Sequence, residues 1–273
     1  MNLPSDPIGV FDSGVGGLTV TRALVDRLPG EAILYLGDTA RVPYGNKAPA
    51  TIERYGLNIA RRLNDTGIKA LVIACNTASA FALEAIVKAH PKLPVLGVIE
   101  PVAQQAAAST RSGVVGVIGT RGTVASGAYT RALHEANKDL QIISHPCPLF
   151  VPLAEEGWLD GAVPTEVART YLAPFAGTGI DTLILGCTHY PLLRPVIQRV
   201  INEVVGRQVE VLDTATATAK VLDDLLRAQA LQAPRDSPAP AHKFWVTDAA
   251  DSFKGVSTRF FGSPLGHIEH VDL

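Results

Sequence analysis

The sequence of 273 residues has no run of like charges and no apolar stretch long enough to cross a bilayer. Its formal net charge is −2, so the basic footprint of a nucleic-acid-binding surface is missing and neither nucleic acid nor membrane is an expected partner. The first seven residues are polar and few and do not read as a signal peptide, which makes the cytoplasm the expected address. Three cysteines, Cys75, Cys147 and Cys187, make an odd number without a CxxC pair, so a disulfide framework is not expected. The seven histidines lack the spacing of a zinc site, and no metal is expected. What is there, 47% hydrophobic and 18% charged residues, suits a globular protein of one or two domains with a sizeable core.

Short apolar runs at 8–11, 32–36, 70–74, 95–98, 114–118, 141–144, 182–185 and 209–212 alternate with segments of helical period. Each run has the length of a strand buried on both faces. Between them, Ile52, Tyr55, Ile59 and Leu63 recur at the spacing of a helix. The alternation predicts an α/β fold with mostly parallel sheet flanked by helices. Eight strands also suit a single β/α barrel. Two similar domains are favoured because the chain repeats a design. "ALVIACNTAS" at 70–79 and "TLILGCTHYP" at 182–191 both run from apolar strand through a small residue to Cys, then Thr, then a helix. "VIEP" at 98–101 and "VLDT" at 211–214 read as matching crossovers, each a strand ending in an acid. The division is then 1–99 plus 212–273 for the first domain and 100–211 for the second. The stretch 232–242, "QAPRDSPAPAH", reads as an exposed linker before a last strand at 243–246.

In open parallel sheets ligands bind beyond the carboxyl ends of the strands, at a switch point. The residues there are Asp12-Ser13-Gly14, Asp38-Thr39, Cys75-Asn76-Thr77, Glu100, Gly119-Thr120, Cys147 and Cys187-Thr188-His189. A lone cysteine is usually a small buried hydrophobe. Two at equivalent strand ends, each before a helix N-terminus, point instead to chemistry. Inversion at a tetrahedral carbon removes a proton from one face and delivers one to the other. Two bases on opposite walls, one thiolate and one thiol, do this with fixed geometry. Asp12 and His189 stand where they can relay a proton or tune a thiol, the bland alternative being a buried acid and a core histidine. "DSGVGG" at 12–17 lacks the third spacing of G-x-G-x-x-G, and its acid repels phosphate, so its glycines are expected to allow close backbone approach to a small ligand, the bland alternative being a tight strand–helix turn with no ligand. The threonines at 77, 120, 123 and 188 suit a carboxylate-rich substrate, or cap helices. Glu155 can meet an ammonium group or simply face solvent. Tyr44, in the turn "PYG", can cap the fold. Cys147, before Pro148, reads as structural.

The segments "FDSGVGG", "GDTARVPYG", "ACNTAS", "GVIGTRGT", "CPLFVPLAEEGW" and "LILGCTHYPLL" together resemble the motif set of bacterial glutamate racemases, within the aspartate/glutamate racemase superfamily. The resemblance implies interconversion of L- and D-glutamate without pyridoxal phosphate or any other cofactor, the D-form feeding peptidoglycan synthesis. It also implies two α/β domains with the active site in the cleft between them, and a homodimer. Cys75 then takes the proton of D-glutamate and Cys187 that of L-glutamate, with Asp12 assisting Cys75 and His189 assisting Cys187. Asp12-Ser13, Tyr44-Gly45, Asn76-Thr77 and Thr188-His189 contact substrate, with Thr120, Thr123 and Glu155 as further contacts. Phe11 stands where relatives carry an aliphatic residue, and "VLDTATATA" at 211–219 where many read closer to "IDSGEATA". The long N-terminal extension of some relatives is missing, so regulation through it is not expected. The competing readings are a sister racemase for aspartate or a hydantoin, a two-lobed binding protein for a dicarboxylic acid, and a thiol redox enzyme, the last disfavoured by the missing CxxC.

Overall fold

The computed structural model of the protein describes residues 3–233 and 240–273. The strands are β1 (Ile8–Asp12), β2 (Ile33–Gly37), β3 (Ala70–Ile73), β4 (Val95–Gly97), β5 (Val114–Gly119), β6 (Gln141–Pro146), β7 (Thr182–Gly186), β8 (Glu210–Asp213), β9 (Lys243–Val246) and β10 (Ile268–His270). The helices are α1 (Leu18–Arg27), α2 (Pro49–Asp65), α3 (Asn76–Ala89), α4 (Ile99–Ser109), α5 (Arg121–Ala125), α6 (Ala128–Ala136), α7 (Phe150–Glu156), α8 (Ala162–Leu172), α9 (Arg194–Val205), α10 (Thr214–Ala228) and α11 (Ala250–Phe261).

Two open sheets form, each belonging to one compact unit of the chain. Residues 1–98 with 215–273 make the first unit and residues 99–214 the second. The first sheet runs β10-β9-β2-β1-β3-β4 and the second β6-β5-β7-β8. All their pairings are parallel. A single barrel is thereby excluded. Within each unit the opening strand lies between the second and the third, with the fourth outside the third. The two sheets thus share one order, and the first adds β9 and β10 at its β2 edge. The repeat seen in the sequence is a repeat of topology.

Burial explains the composition of the strands. Every residue of β1, β2, β3 and β7 is buried, as befits central parallel strands covered by helices on both faces. Edge strands β4 and β6 are only half-buried, against the expectation of burial on both faces, because each has a neighbour on one side alone. In the first unit, Ile52, Ile59 and Leu63 of α2 pack with Ala82 and Ile86 of α3 over Phe11 and Ile73. Each of the larger side chains contributes on the order of 2 kcal/mol by leaving water. Gly56 lets the two helices close, since a Cβ there would stand 2.7 Å from that of Ala82. In the second unit, Val196, Ile197, Val200 and Ile201 form the buried stripe of α9.

The structure differs from the sequence reading at three points. β10 was not foreseen: three residues, "IEH", paired only with β9, carry no apolar run. Glu100 does not end a strand. β4 stops at Gly97, and Glu100 lies in the first turn of α4, where the helix dipole favours an acid. The chain passes between units at 98/99 and 214/215, within three residues of the 99/100 and 211/212 expected, the first crossing at the start of α4 and the second in the first turn of α10. Of the segment expected to be a linker, residues 234–239 lie outside the described residues.

Two polar clusters pin the far ends of the strands. Ahead of β3, fully buried Lys69 pairs with buried Glu31 and donates to the carbonyl of Pro4 at 2.6 Å. Ahead of β7, Asp181 accepts from the Thr110 hydroxyl (2.6 Å), the Arg111 and Ser112 amides (2.8 and 2.7 Å) and the Thr182 hydroxyl (3.1 Å). Burial opposes ionisation of Asp181, but these donors outweigh it and lower its pKa to about 2. Lys69→Met leaves a buried carboxylate without its cation and is expected to lose about 3–5 kcal/mol in urea unfolding, with Glu31→Leu in the same chain restoring much of it. Asp181→Asn is expected to lose about 1 kcal/mol at neutral pH. Because the folded pKa is depressed, that contribution exists above about pH 4 and fades as pH falls towards 2, so unfolding curves of variant and wild type converge in acid.

Candidate active site

The strand order dictates where side chains gather. β1 is followed on one side by β2 and on the other by β3, so the loops after β1 and β3 leave in opposite directions and open a crevice. The loop after β1 carries Asp12 and Ser13, and Cys75 lies just past β3. β5 stands likewise between β6 and β7. The corresponding crevice of the second unit receives Gly119-Thr120 from one side and Cys187-Thr188-His189 from the other. Each thiol lies beside the switch point of its own sheet.

In the first unit Cys75 is the residue before the first turn of α3, in extended conformation. This sets its sulfur beside the positive end of a 14-residue helix, where negative charge is favoured. The thiol donates to the Ser13 hydroxyl at 3.6 Å. Asp12 is fully buried, and its Oδ2 accepts the amide of Gly14 at 2.9 Å. Gly17 allows this placement, because a Cβ there would stand 2.4 Å from that of Asp12. Asn76 and Thr77, the first residues of α3, are buried beside the thiol in sequence. Tyr35 registers both acids: burial first, then the charges of Asp12 and Cys75, push its phenol well above its ordinary pKa.

Tyr44 is buried, and its hydroxyl donates to Asp38 at 2.5 Å. Burial, then the Asp38 charge and hydrogen bond, hold this phenol neutral. The side chain is therefore committed to the fold, and what the Tyr44-Gly45 turn can present to a ligand is backbone. Asp38, a strand-end acid not singled out from the sequence as a site residue, is the hub. It also accepts from Arg41 (2.8 Å) and Thr247 (2.9 Å).

In the second unit Cys187 follows β7 directly and is buried. No long helix starts behind it. A 3-10 turn, Tyr190–Leu193, intervenes and α9 begins only at Arg194, with prolines at 191 and 195 admitting these two starts. The expected dipole of a helix N-terminus behind the second thiol is replaced by a histidine. His189 Nδ1 lies 3.9 Å from the Cys187 sulfur and 3.4 Å from Thr188 Oγ1, while Nε2 meets Glu155 Oε1 at 2.9 Å. Burial opposes protonation of the ring. The hydrogen bonds to Cys187 and Glu155 and their negative charges outweigh it, raising the His189 pKa to about 10. Glu155, read from sequence as a solvated acid or an ammonium ligand, is the second partner of this imidazole. Chain spacing of 34 residues gave no sign of it.

Thr120 acts as a helix cap: its Oγ1 accepts the Thr123 amide at 3.2 Å, and the two hydroxyls lie 3.0 Å apart. Cys147 is fully buried and donates to the His145 carbonyl at 3.7 Å. Burial and the charge of Cys187 push its thiol upward, which leaves it neutral. Among the described residues no group of three His, Cys, Asp or Glu side chains is arranged to hold a metal ion, and no helix is long and apolar enough to cross a membrane.

Residues 8–222 match the family described as Asp/Glu/hydantoin racemase. The chain is 51% identical to the glutamate racemase of Geobacter metallireducens, covering 99% of this chain and 98% of that one. Among solved structures it resembles glutamate racemase from Francisella tularensis in complex with D-glutamate, with a TM-score of 0.92 and 38% identity over 99% of this chain and 98% of that one. It also resembles the Thermus thermophilus enzyme in complex with β-chloro-D-alanine, with a TM-score of 0.89 and 43% identity over 100% of this chain and 99% of that one.

Since the folded pKa of His189 is raised above its ordinary 6.5, the imidazolium contributes stability in full below that pH and loses it as pH rises through about 10. Glu155→Gln removes one of the two holding charges. The ring titration, followed by nitrogen NMR on labelled histidine, is expected to fall by about one unit or more. An unmoved titration would assign the shift to Cys187 alone.

Proposed function

The chain belongs to the Asp/Glu/hydantoin racemase family, and on that premise we propose that it interconverts L- and D-glutamate by two-base proton transfer at Cα, with Cys75 and Cys187 as the bases. It is an amino-acid racemase, an isomerase. One observation carries the two-thiol reading: a sheet of one strand order occurs twice, and a cysteine follows the third strand both times.

With D-glutamate, the Cα–H bond breaks and its proton passes to the Cys75 thiolate. The electron pair left on Cα then takes a proton from the Cys187 thiol on the opposite face. L-glutamate leaves, and the enzyme holds Cys75 as thiol and Cys187 as thiolate, ready for the reverse reaction. Ser13 and Asp12 support proton movement at Cys75. His189, oriented by Glu155, does so at Cys187. The unequal supports suit unequal surroundings: a helix N-terminus beside Cys75, an imidazolium beside Cys187.

The α-hydrogen is a very weak acid, so the developing carbanion needs electrostatic stabilisation in a water-excluding site. The start of α3 at Asn76-Thr77, the backbone of Tyr44-Gly45, and Ser13 and Thr188 are the groups proposed to receive the substrate carboxylates, with Thr120 and Thr123 as further hydroxyls. Both thiols are proposed to act on one substrate molecule. The further elements of the reading are a cytoplasmic homodimer, no cofactor, and D-glutamate delivered to peptidoglycan synthesis. Glutamate as substrate is supported by the D-glutamate complex of the Francisella tularensis enzyme.

Proton NMR of L-glutamate in deuterium oxide, with purified protein and nothing added, tests this directly. Loss of the Cα hydrogen and appearance of D-glutamate are expected for the wild type, with racemisation abolished in Cys75→Ala and in Cys187→Ala. Absence of exchange at every pH where the protein is folded sinks the assignment. Turnover of aspartate alone moves it to a sister racemase.

A further inference from the structure

Each unit holds a wholly buried tyrosine whose hydroxyl is spent on the loop beside its thiol. In the first unit Tyr35, on β2, donates to the Gly14 carbonyl at 2.7 Å. The amide of the same Gly14 donates to Asp12 at 2.9 Å. One glycine is thus held on both sides, by the phenol through its carbonyl and by the candidate acid through its amide, with Ser13 between. In the second unit Tyr190, the residue after His189, donates to the Cys147 carbonyl at 2.8 Å. That carbonyl also accepts the amide of Phe150, the first residue of α7, and the Phe150 ring stands edge-on to Tyr190 at 5.3 Å. α7 carries Glu155, which meets His189. The path from His189 through Tyr190, Cys147 and α7 closes on His189 again.

We propose that Tyr35 and Tyr190 are positioning residues, one for each thiol: Tyr35 sets the Asp12–Ser13 turn against Cys75, and Tyr190 sets Glu155 on His189 and so His189 on Cys187. Neither phenol is a proton carrier. Burial, reinforced by the negative groups around each, keeps both hydroxyls protonated, so they act as fixed donors. Both rings sit in aromatic company, Tyr35 near Phe244 and Phe253 (6.3 and 6.2 Å) and Tyr190 against Phe150. Phenylalanine in either position keeps the ring and removes only the strut.

This inference rests on the two-thiol reading above, and the stereochemistry of that reaction provides its test. L-glutamate loses its hydrogen at one sulfur and D-glutamate at the other. A raised barrier at one sulfur makes C–H cleavage more fully rate-limiting for the enantiomer that sulfur serves. It makes cleavage less rate-limiting for the other enantiomer, whose hydrogen leaves at the undisturbed side. A purely structural loss has no such handedness.

Primary isotope effects on kcat/KM are measured with 2-deuterio-L- and 2-deuterio-D-glutamate for wild type, Tyr35→Phe, Tyr190→Phe and Asp181→Asn, the last a destabilised control in the loop pin at the opposite end of β7 from Cys187. Tyr190→Phe is expected to lower kcat about tenfold, the rate equivalent of one lost buried hydrogen bond. It raises the isotope effect for L-glutamate and lowers that for D-glutamate. Tyr35→Phe gives the mirror image, so each half is tested independently of the other variant's folding. Asp181→Asn moves neither effect. If both effects stay at wild-type values, or move in the same direction, while the wild type racemises normally, the positioning role is wrong and the two-thiol reading survives. If the wild type exchanges no Cα hydrogen, both fall.

Discussion

Parallel pairing of one central strand with two neighbours governs each half of this molecule. β1 is in register with β2 and β3 along its length, as β5 is with β6 and β7. Once that register is fixed, the carboxyl ends of three strands arrive together, and whatever follows them in sequence shares one crevice. The thiols are not brought to their places by a special loop conformation. They are the residues that a buried parallel strand delivers when it ends. The rest is support: helices that bury the strands, and polar pins at their far ends around Lys69 and Asp181 that keep the strands from sliding.

Around these ends the molecule keeps charges that would otherwise be expelled from its interior. Asp12 and Asp38 are fully buried and each is held by donors, a backbone amide for the first and three side chains for the second. His189 is kept cationic against its own burial by two negative neighbours. The two halves thus reach a similar end by different means, a helix terminus in one and a buried imidazolium in the other.

Much of the frame was readable in the sequence, because buried parallel strands are short apolar runs, and here they alternate with longer segments of helical period. The paired thiols were readable for the same reason: a duplicated strand carries its following cysteine with it. What escaped has a physical cause in each case. β10 is an edge strand and has no need of apolar residues. The delay between Cys187 and α9 depends on two prolines that admit more than one helical start. The contacts of Glu155 with His189 and of Asp38 with Thr247 span 34 and 209 residues, and such distances leave no local signature. Thr120 illustrates the opposite limit: a hydroxyl at a strand end suits a ligand and a helix cap equally, and in the structure it caps α5.

The clasp on Asp38 reaches further than its geometry suggests. Thr247 and Asp248, which hold the 37–40 segment through five hydrogen bonds, follow β9, beyond the span 8–222 that matches the family. The turn at Tyr44-Gly45 belongs to the shared span, yet its anchor is braced by residues outside it. The matched span holds both candidate thiols, while a segment 209 residues along the chain from Asp38 stiffens the 37–40 stretch that anchors the Tyr44-Gly45 turn, so a substitution at Thr247 can loosen that turn without touching any residue near it in sequence.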